Sequence, residues 1–438
     1  MSEISTFESR LIDLLSDYAG AAPVEIEPIE LAATIAQRER RSVTVLGRAF
    51  VKPRWLMPLV IAVLLAAALF AAAVIGAELL RHRAPTFVPL TIQPVGFMTQ
   101  QRGGAAAALL GDGRVLVAGG GNAYAGANVS FAEIFDPMDR TFQVTGSAAP
   151  RDLRGAAATT LRDGRVLITG GYGDNLKSSG SATLYDPRSA TFVELPQMSA
   201  PRSNHASVVL ADGRVVLIGG ASDVRNSTPS EPSVEFFDPA SLTFEPGPDP
   251  PGLQLPSALA FPNGTNRLLV LGTGIGVSPL VFDLSTLMLE GPAASPISNA
   301  GGSVIGAAQL DDGRLVIALA GDPSSPRESG ALLAFDPIAA TMTNLRAMPQ
   351  AVLEGPVTLS DGRLFAALAD ATDCTNVSAW VYGPSDDSFT KVGQIGGIGS
   401  CSTPPSSTIT ALADGGALIA GGYMSYGGET SAASVVHP

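Results

Sequence analysis

Histidine is almost missing from this 438-residue chain, which has three, and tryptophan is limited to Trp55 and Trp380. So few imidazoles leave no pair with which to build a copper site, and so few indoles leave no Ser-x-Asp-x-Gly-x-x-Trp boxes. Two cysteines permit one disulfide at most. Lysine is scarce beside arginine, the formal net charge is -13, and no basic patch stands out, which argues against nucleic acid as a partner. A Gly-x-Ser-x-Gly elbow, a His-Glu-x-x-His helix and a phosphate-cradling glycine loop are all absent. Asp311 and Asp312 are adjacent carboxylates, but they precede a turn glycine and read as turn chemistry.

What the chain does have is glycine (48), proline (33) and internal repetition. Three stretches, "AAAALLGDGRVLVAGG", "AAATTLRDGRVLITGG" and "HASVVLADGRVVLIGG", each continue through a polar loop into "AEIFDPMDRTFQV", "ATLYDPRSATFVEL" and "VEFFDPASLTFEP". Each unit holds four short apolar runs separated by Asp-Gly, by paired glycines plus a loop, and by Asp-Pro, all of them turn signals. The residues after Asp-Gly are Arg114, Arg165 and Arg214, followed by weaker copies at Arg267, Arg314, Arg363 and Gly416, spaced by 47 to 53 residues. Seven units of strand, turn, strand, loop, strand, turn, strand predict an all-β, seven-bladed β-propeller, or six blades if a weak unit is misread. The negative charge falls mostly on its turn aspartates, such as Asp112, Asp136, Asp163 and Asp186.

The seventh unit stops at "VVHP" without a fourth strand, while "RAPTFVPL" precedes the first unit and matches the missing piece. The expectation is closure of the ring by an N-terminal strand over Thr86 to Ile92.

Residues 55–77 are 23 residues without a charge, enough to span a bilayer core at about 1.5 Å per residue. Six basic residues, from Arg38 to Arg54, precede the run and two, Arg81 and Arg83, follow it, so a cytoplasmic N-terminus and an extracytoplasmic propeller are expected. The domain reading is a tail (1–54), a single-pass transmembrane helix (55–80), a linker (81–85) and the propeller (86–438). In the tail, Phe7, Leu11, Leu14, Leu15 and Tyr18 form one stripe behind a Ser5 cap, a short amphipathic helix. No His or Cys precedes His82, so the zinc pattern of many anti-sigma factors is lacking. Cys374 and Cys401 fall on loops at one face of the ring, and two readings stand: a disulfide in an oxidising compartment, or two free thiols.

Paired glycines, a third-strand aromatic and a large aromatic six residues past a turn aspartate resemble the kelch repeat. They stand at Gly119, Gly120, Phe135 and Phe142, at Gly170, Gly171, Tyr185 and Phe192, and at Gly219, Gly220, Phe237 and Phe244, with the glycines returning at Gly421 and Gly422. Phenylalanine replaces the family's usual fourth-strand tryptophan, and the glycine pair degrades in units four to six. The resemblance implies a propeller of bacterial type. It brings in copper oxidases resembling galactose oxidase, whose histidine and tyrosine ligands this chain cannot supply. His205 opens an inner strand and reads as structural.

The long loops between second and third strands carry the candidate ligand-binding residues Tyr124, Tyr172, Asn175, Arg225, Arg327, Tyr423 and Tyr426. The functional reading is a membrane-anchored, non-catalytic module binding a protein or carbohydrate, with no cofactor and no metal. The alternatives are a transmembrane signalling regulator, with the propeller as sensor and residues 1–50 as output, and a copper oxidase.

Overall fold

The computed structural model describes residues 89–437 except 123–126, 130, 149–152, 174, 231–232, 249–257, 263–266, 273–279, 291–303, 320–330, 340, 346–350, 370–376, 396–406 and 423–429. Residues 1–88, and with them the apolar run and the expected tail helix, lie outside the described residues, as do Cys374 and Cys401. Among the described residues no helix is long and apolar enough to cross a membrane. Ala84–Pro438 form one compact unit.

That unit contains seven four-stranded antiparallel sheets. Blade 1 consists of Ala106–Leu109, Val115–Ala118, Phe131–Asp136 and Thr141–Ala148. Blade 2 consists of Ala157–Thr160, Val166–Thr169, Ala182–Asp186 and Thr191–Glu194, and blade 3 of Ala206–Val209, Val215–Ile218, Val234–Asp238 and Thr243–Pro246. Blades 4, 5 and 6 begin at Ala258, Val304 and Ala351. Each first strand lies beside the first strands of both neighbours, and that of blade 7, Thr408–Ala411, lies beside that of blade 1, so the ring is closed with seven blades.

The second strands of blades 1, 2, 3, 5 and 7 are buried along their whole length, because both faces of a blade pack on neighbours. This is why "VLVA", "VLIT" and "VVLI" read as continuous apolar runs and not as alternation. Seven apolar clusters result, one at each blade junction. The signature aromatics explain themselves in the register. Phe135 faces Phe142, Tyr185 faces Phe192, Phe237 faces Phe244 and Tyr382 faces Phe389 across the third and fourth strands, with ring centroids 4.8 to 5.1 Å apart. Blades 4 and 5 put Phe282 against Leu289 and Phe335 against Met342 in the same place. Each third-strand residue of this set then packs into the preceding blade's cluster.

The Asp-Gly turns share one device. Asp112, Asp163, Asp212, Asp312 and Asp361 each accept the backbone N–H two residues on, at 3.0 to 3.1 Å, and the guanidinium of that same arginine. At the four solvent-facing pairs, all but that of the buried Arg363, the ionic part contributes little, so the turn bond to backbone is the main effect.

The ring closes as the sequence suggests, but with a different strand. Thr91–Phe97 pairs with Ala432–His437, placing Thr91 opposite His437 as Thr141 stands opposite Asp136. The fourth strand of blade 7 is therefore Thr91–Phe97 and not Thr86 to Ile92, and Ile92 takes the place expected of Phe87. Chain length between blades sets this register: ten residues separate Phe192 from Arg202, ten separate Ile92 from Arg102, and Phe87 would stand fifteen away.

In blades 1 and 3 a buried arginine–glutamate pair completes the junction. Arg102, fully buried, donates to the carbonyls of Gly119 (2.8 Å) and Phe131 (2.9 Å) and to Glu133 (2.8 Å), while Glu133 accepts the N–H of Thr99. In blade 3, Arg202 donates to Gly219 (2.9 Å) and Glu235 (3.1 Å), and Glu235 accepts the N–H of Ser199. Blade 2 has Leu153 and Thr183 in these two places, both buried. Glu133→Thr alone should cost about 3 kcal/mol or more by stranding the Arg102 charge, and Arg102→Leu added to it should restore most of the loss; chemical denaturation of the three variants checks this.

The glycine ending a second strand is held at positive φ and receives the segment that leads into the next blade. A Cβ on Gly170 (φ 63°) would stand 2.0 Å from the carbonyl oxygen of Arg202, whereas one on Gly164 (φ 88°) would meet nothing within 4 Å. Gly170→Ala should therefore lower stability by about 3 kcal/mol or more, and Gly164→Ala by about 1 to 2 kcal/mol for the backbone strain alone, as read from denaturation midpoints.

Candidate functional site

Strands 2 and 3 of a blade are joined at one end of the ring, and strands 3 and 4 at the other. Thr91, at the start of the closing strand, lies at the latter end, because it pairs with His437 beside that turn position. The long loops between second and third strands occupy the opposite end.

There the loops of blades 2 and 3 are joined into one platform. Lys177 bridges Asp223, the N–H of Val224 donates to the carbonyl of Leu176 (3.1 Å), and the N–H of Ser178 donates to that of Ser222 (3.1 Å). In blade 3 the loop begins as a two-stranded hairpin, Ala221–Asp223 with Thr228–Pro229. Of the seven candidate residues, the structure brings Tyr172, Asn175 and Arg225 together here. Tyr124, Arg327, Tyr423 and Tyr426 lie outside the described residues.

The three residues play different parts. The guanidinium of Arg225 donates to the main-chain carbonyl of Asn175, and the side-chain oxygen of Asn175 accepts the N–H of Lys177 (2.9 Å). Both residues thus hold the loops in place. The ring of Tyr172 is half-buried, with the guanidinium of Arg154 5.3 Å from its centroid. Arg154 and Lys177 were not legible as members of this cluster. Arg154 sits one position after Leu153, which fills the place of Arg102 and Arg202, and only that one-residue offset could have flagged it. The platform offers hydrogen-bond donors, an aromatic face and preorganised backbone.

His205 lies within the junction between blades 2 and 3. Its Nε2 is 2.8 Å from the hydroxyl of Thr169, its Nδ1 is buried, and burial together with the positive charge of Arg202 pushes its pKa down to about 3. The ring is therefore neutral at ordinary pH, a packed structural histidine. His437 is on the outer part of blade 7, 3.5 Å from Arg140.

No protein-family model matches the chain, and no curated protein matches its sequence. Among solved structures, a fungal alcohol oxidase of the AA5 family, in complex with copper, is similar over 80% of this chain and 76% of its own, with a TM-score of 0.55 and 15% identity. The shared fold is that of a seven-bladed β-propeller. This finding corrects the expectation of a non-catalytic protein- or carbohydrate-binding module: the same ring carries an alcohol oxidase elsewhere, so the fold no longer argues for binding without chemistry. The described residues do not fit the oxidase's copper. Among those described, no three His, Cys, Asp or Glu side chains gather into a metal-holding group, and the two described histidines are engaged apart, one inside a junction and one at the rim.

His205 predicts an acid sensitivity. The unfolded chain binds a proton as pH falls through about 6.5, the folded one only near 3, so stability is complete above 6.5 and declines below it by about 1.4 kcal/mol per pH unit. Denaturation midpoints measured from pH 7 to 4.5 should fall in the parent protein and fall less in His205→Gln. Parallel curves would remove His205 as the cause.

Proposed function

We propose that the propeller is the sensing part of a transmembrane signalling regulator, with residues 55–77 as the span and residues 1–50 as the output. One observation carries this reading. The strand that closes the ring, Thr91–Phe97, is the first strand the chain forms after its N-terminal segment, and it is stitched to the last strand, Ala432–His437. A change of state in the ring thus has a covalent route of about a dozen residues to the end of the apolar run. The platform built on Tyr172, Asn175 and Arg225 supports the same arrangement, since it occupies the end of the ring away from the point where the chain comes in.

The alcohol oxidase of similar fold suggests a rival, copper-dependent alcohol oxidation, which the residue set described above does not support. Signalling is tested in the cell that makes the protein. Transcript profiles are compared among cells lacking the protein, cells with the full chain, and cells with a chain lacking residues 1–50. The short chain should behave as the deletion. Full restoration by the short chain would overturn the reading.

A further inference from the structure

The closing strand does two junctions' work with little packing of its own. Ile92, with Leu90, packs into the cluster between blades 6 and 7, and Val95, with Met98, packs into the cluster between blades 7 and 1. Yet Val95 is the single buried residue of the seven in Thr91–Phe97. Pro94, opposite Ser434, has no N–H to give to the ladder, and the register shifts between Val95 and Phe97. The Phe97 side chain is 76% exposed. Along the strand runs a groove of about 430 Å³, lined by Ile92, Pro94, Val95, Gly96 and Phe97, with Gln394 of blade 6 across from them. Rim contacts add a hydrogen bond from Thr91 to the carbonyl of His437 (3.4 Å) and one from Arg140 of blade 1 to Gln93.

We propose that Thr91–Phe97 is a releasable clasp: the ring exchanges between a closed form and one in which blade 7 keeps three strands and this segment is free. Several features lower the cost of release. Its ladder lacks an N–H at Pro94 and shifts register, a groove flanks it, and no turn joins it to its partner Ala432–His437, as a turn joins the third and fourth strands of the other blades. The remaining strands of blade 7, Thr408–Ala411, Ala417–Ala420 and Ala432–His437, keep their own ladders when it leaves. Within the signalling reading, on which the consequence rests, release of the clasp is the event that passes from the ring to the N-terminal segment. A stimulus that tightens or loosens the junctions of blade 7 shifts the equilibrium between the two forms.

Hydrogen exchange on the full chain in detergent tests the clasp directly. Amides of Ala432–His437 that pair with the clasp should exchange at least tenfold faster than those of Ala182–Asp186, the corresponding strand of blade 2. Thr91→Cys with His437→Cys, cross-strand partners, should abolish that difference when oxidised and restore it when reduced, with each single variant as control for the native cysteines. Should the pair fail to fold, Ile92→Ala should raise exchange of Ala432–His437 a further tenfold and leave Ala182–Asp186 unchanged. Equal, slow exchange in both strands, unmoved by either variant, overturns the clasp. Carried into the transcript assay, the oxidised pair should lock the output. If it does not while removal of residues 1–50 still abolishes the output, the clasp is not the transmitter and the signalling reading survives. If removing residues 1–50 changes nothing, the signalling reading falls, and fast exchange at blade 7 would stand as a property of the ring alone.

Discussion

Every described feature of the ring depends on how the end of one blade's second strand meets the start of the next blade. At the junction of blades 2 and 3 the contact is reciprocal: Gly171 donates its N–H to the carbonyl of Arg202 (2.9 Å), and Arg202 donates its N–H to the carbonyl of Ser179 (3.1 Å). Blade 7 meets blade 1 in the same way, with Gly422 donating to Arg102 (2.8 Å) and Arg102 to Thr430 (3.1 Å). A side chain at the preceding glycine would occupy the space of that carbonyl, 2.3 Å away at Gly421. At these junctions the glycines set how closely the two blades approach.

The buried arginines belong to this same contact. A residue whose carbonyl is fixed by the preceding blade has its side chain directed into its own blade, where Arg102 and Arg202 reach a second-strand carbonyl and a third-strand glutamate. Taking both charges out of water is costly, and the cost is offset because each carboxylate also takes a backbone N–H and each guanidinium a carbonyl. Blade 2 shows that the charges are dispensable. Leu153 and Thr183 fill the same two places, and Leu153 joins the cluster between blades 1 and 2. Blades 4 and 5 depart further from the pattern, and their hold on the ring comes from apolar packing, with second strands as buried as those of blade 1.

Much of this could be read from the sequence because turn chemistry is local. Asp-Gly-Arg and Asp-Pro place their hydrogen bonds within a few residues, and the facing aromatics are separated by one turn, so repeat, strand order and blade number followed. The closing register was hidden for the opposite reason. "TFVPL" copies the fourth-strand pattern more faithfully than "PLTIQP" does, yet strand position is decided by the distance to Arg102, a constraint between blades that no single repeat displays. The Arg–Glu pairs were hidden too, since 31 residues separate Arg102 from Glu133 and the glutamate's place in an apolar strand shows only alternation. Of the three described loop candidates, composition did not show that Asn175 and Arg225 would be occupied in holding the loops together.

The similarity to a copper-bearing propeller sharpens the question of what a ring of this kind is free to vary. First strands converge on the axis, and here their neighbouring side chains are bound to each other: Thr159 donates to Ser207 (2.6 Å), Thr160 to the carbonyl of Leu109 (2.6 Å) and Thr358 to that of Gln309 (2.7 Å). Hydroxyls satisfied between adjacent blades stitch these inner strands to one another. Ion pairs stand at the Asp-Arg turns on one end, while on the other the backbones of Lys177 and Asp223 pair to join the loops of blades 2 and 3. The chain thus sets its charged turns and the joined loops of blades 2 and 3 at opposite ends of the ring. It has also tied one of those ends, through Thr91, to everything that precedes the propeller.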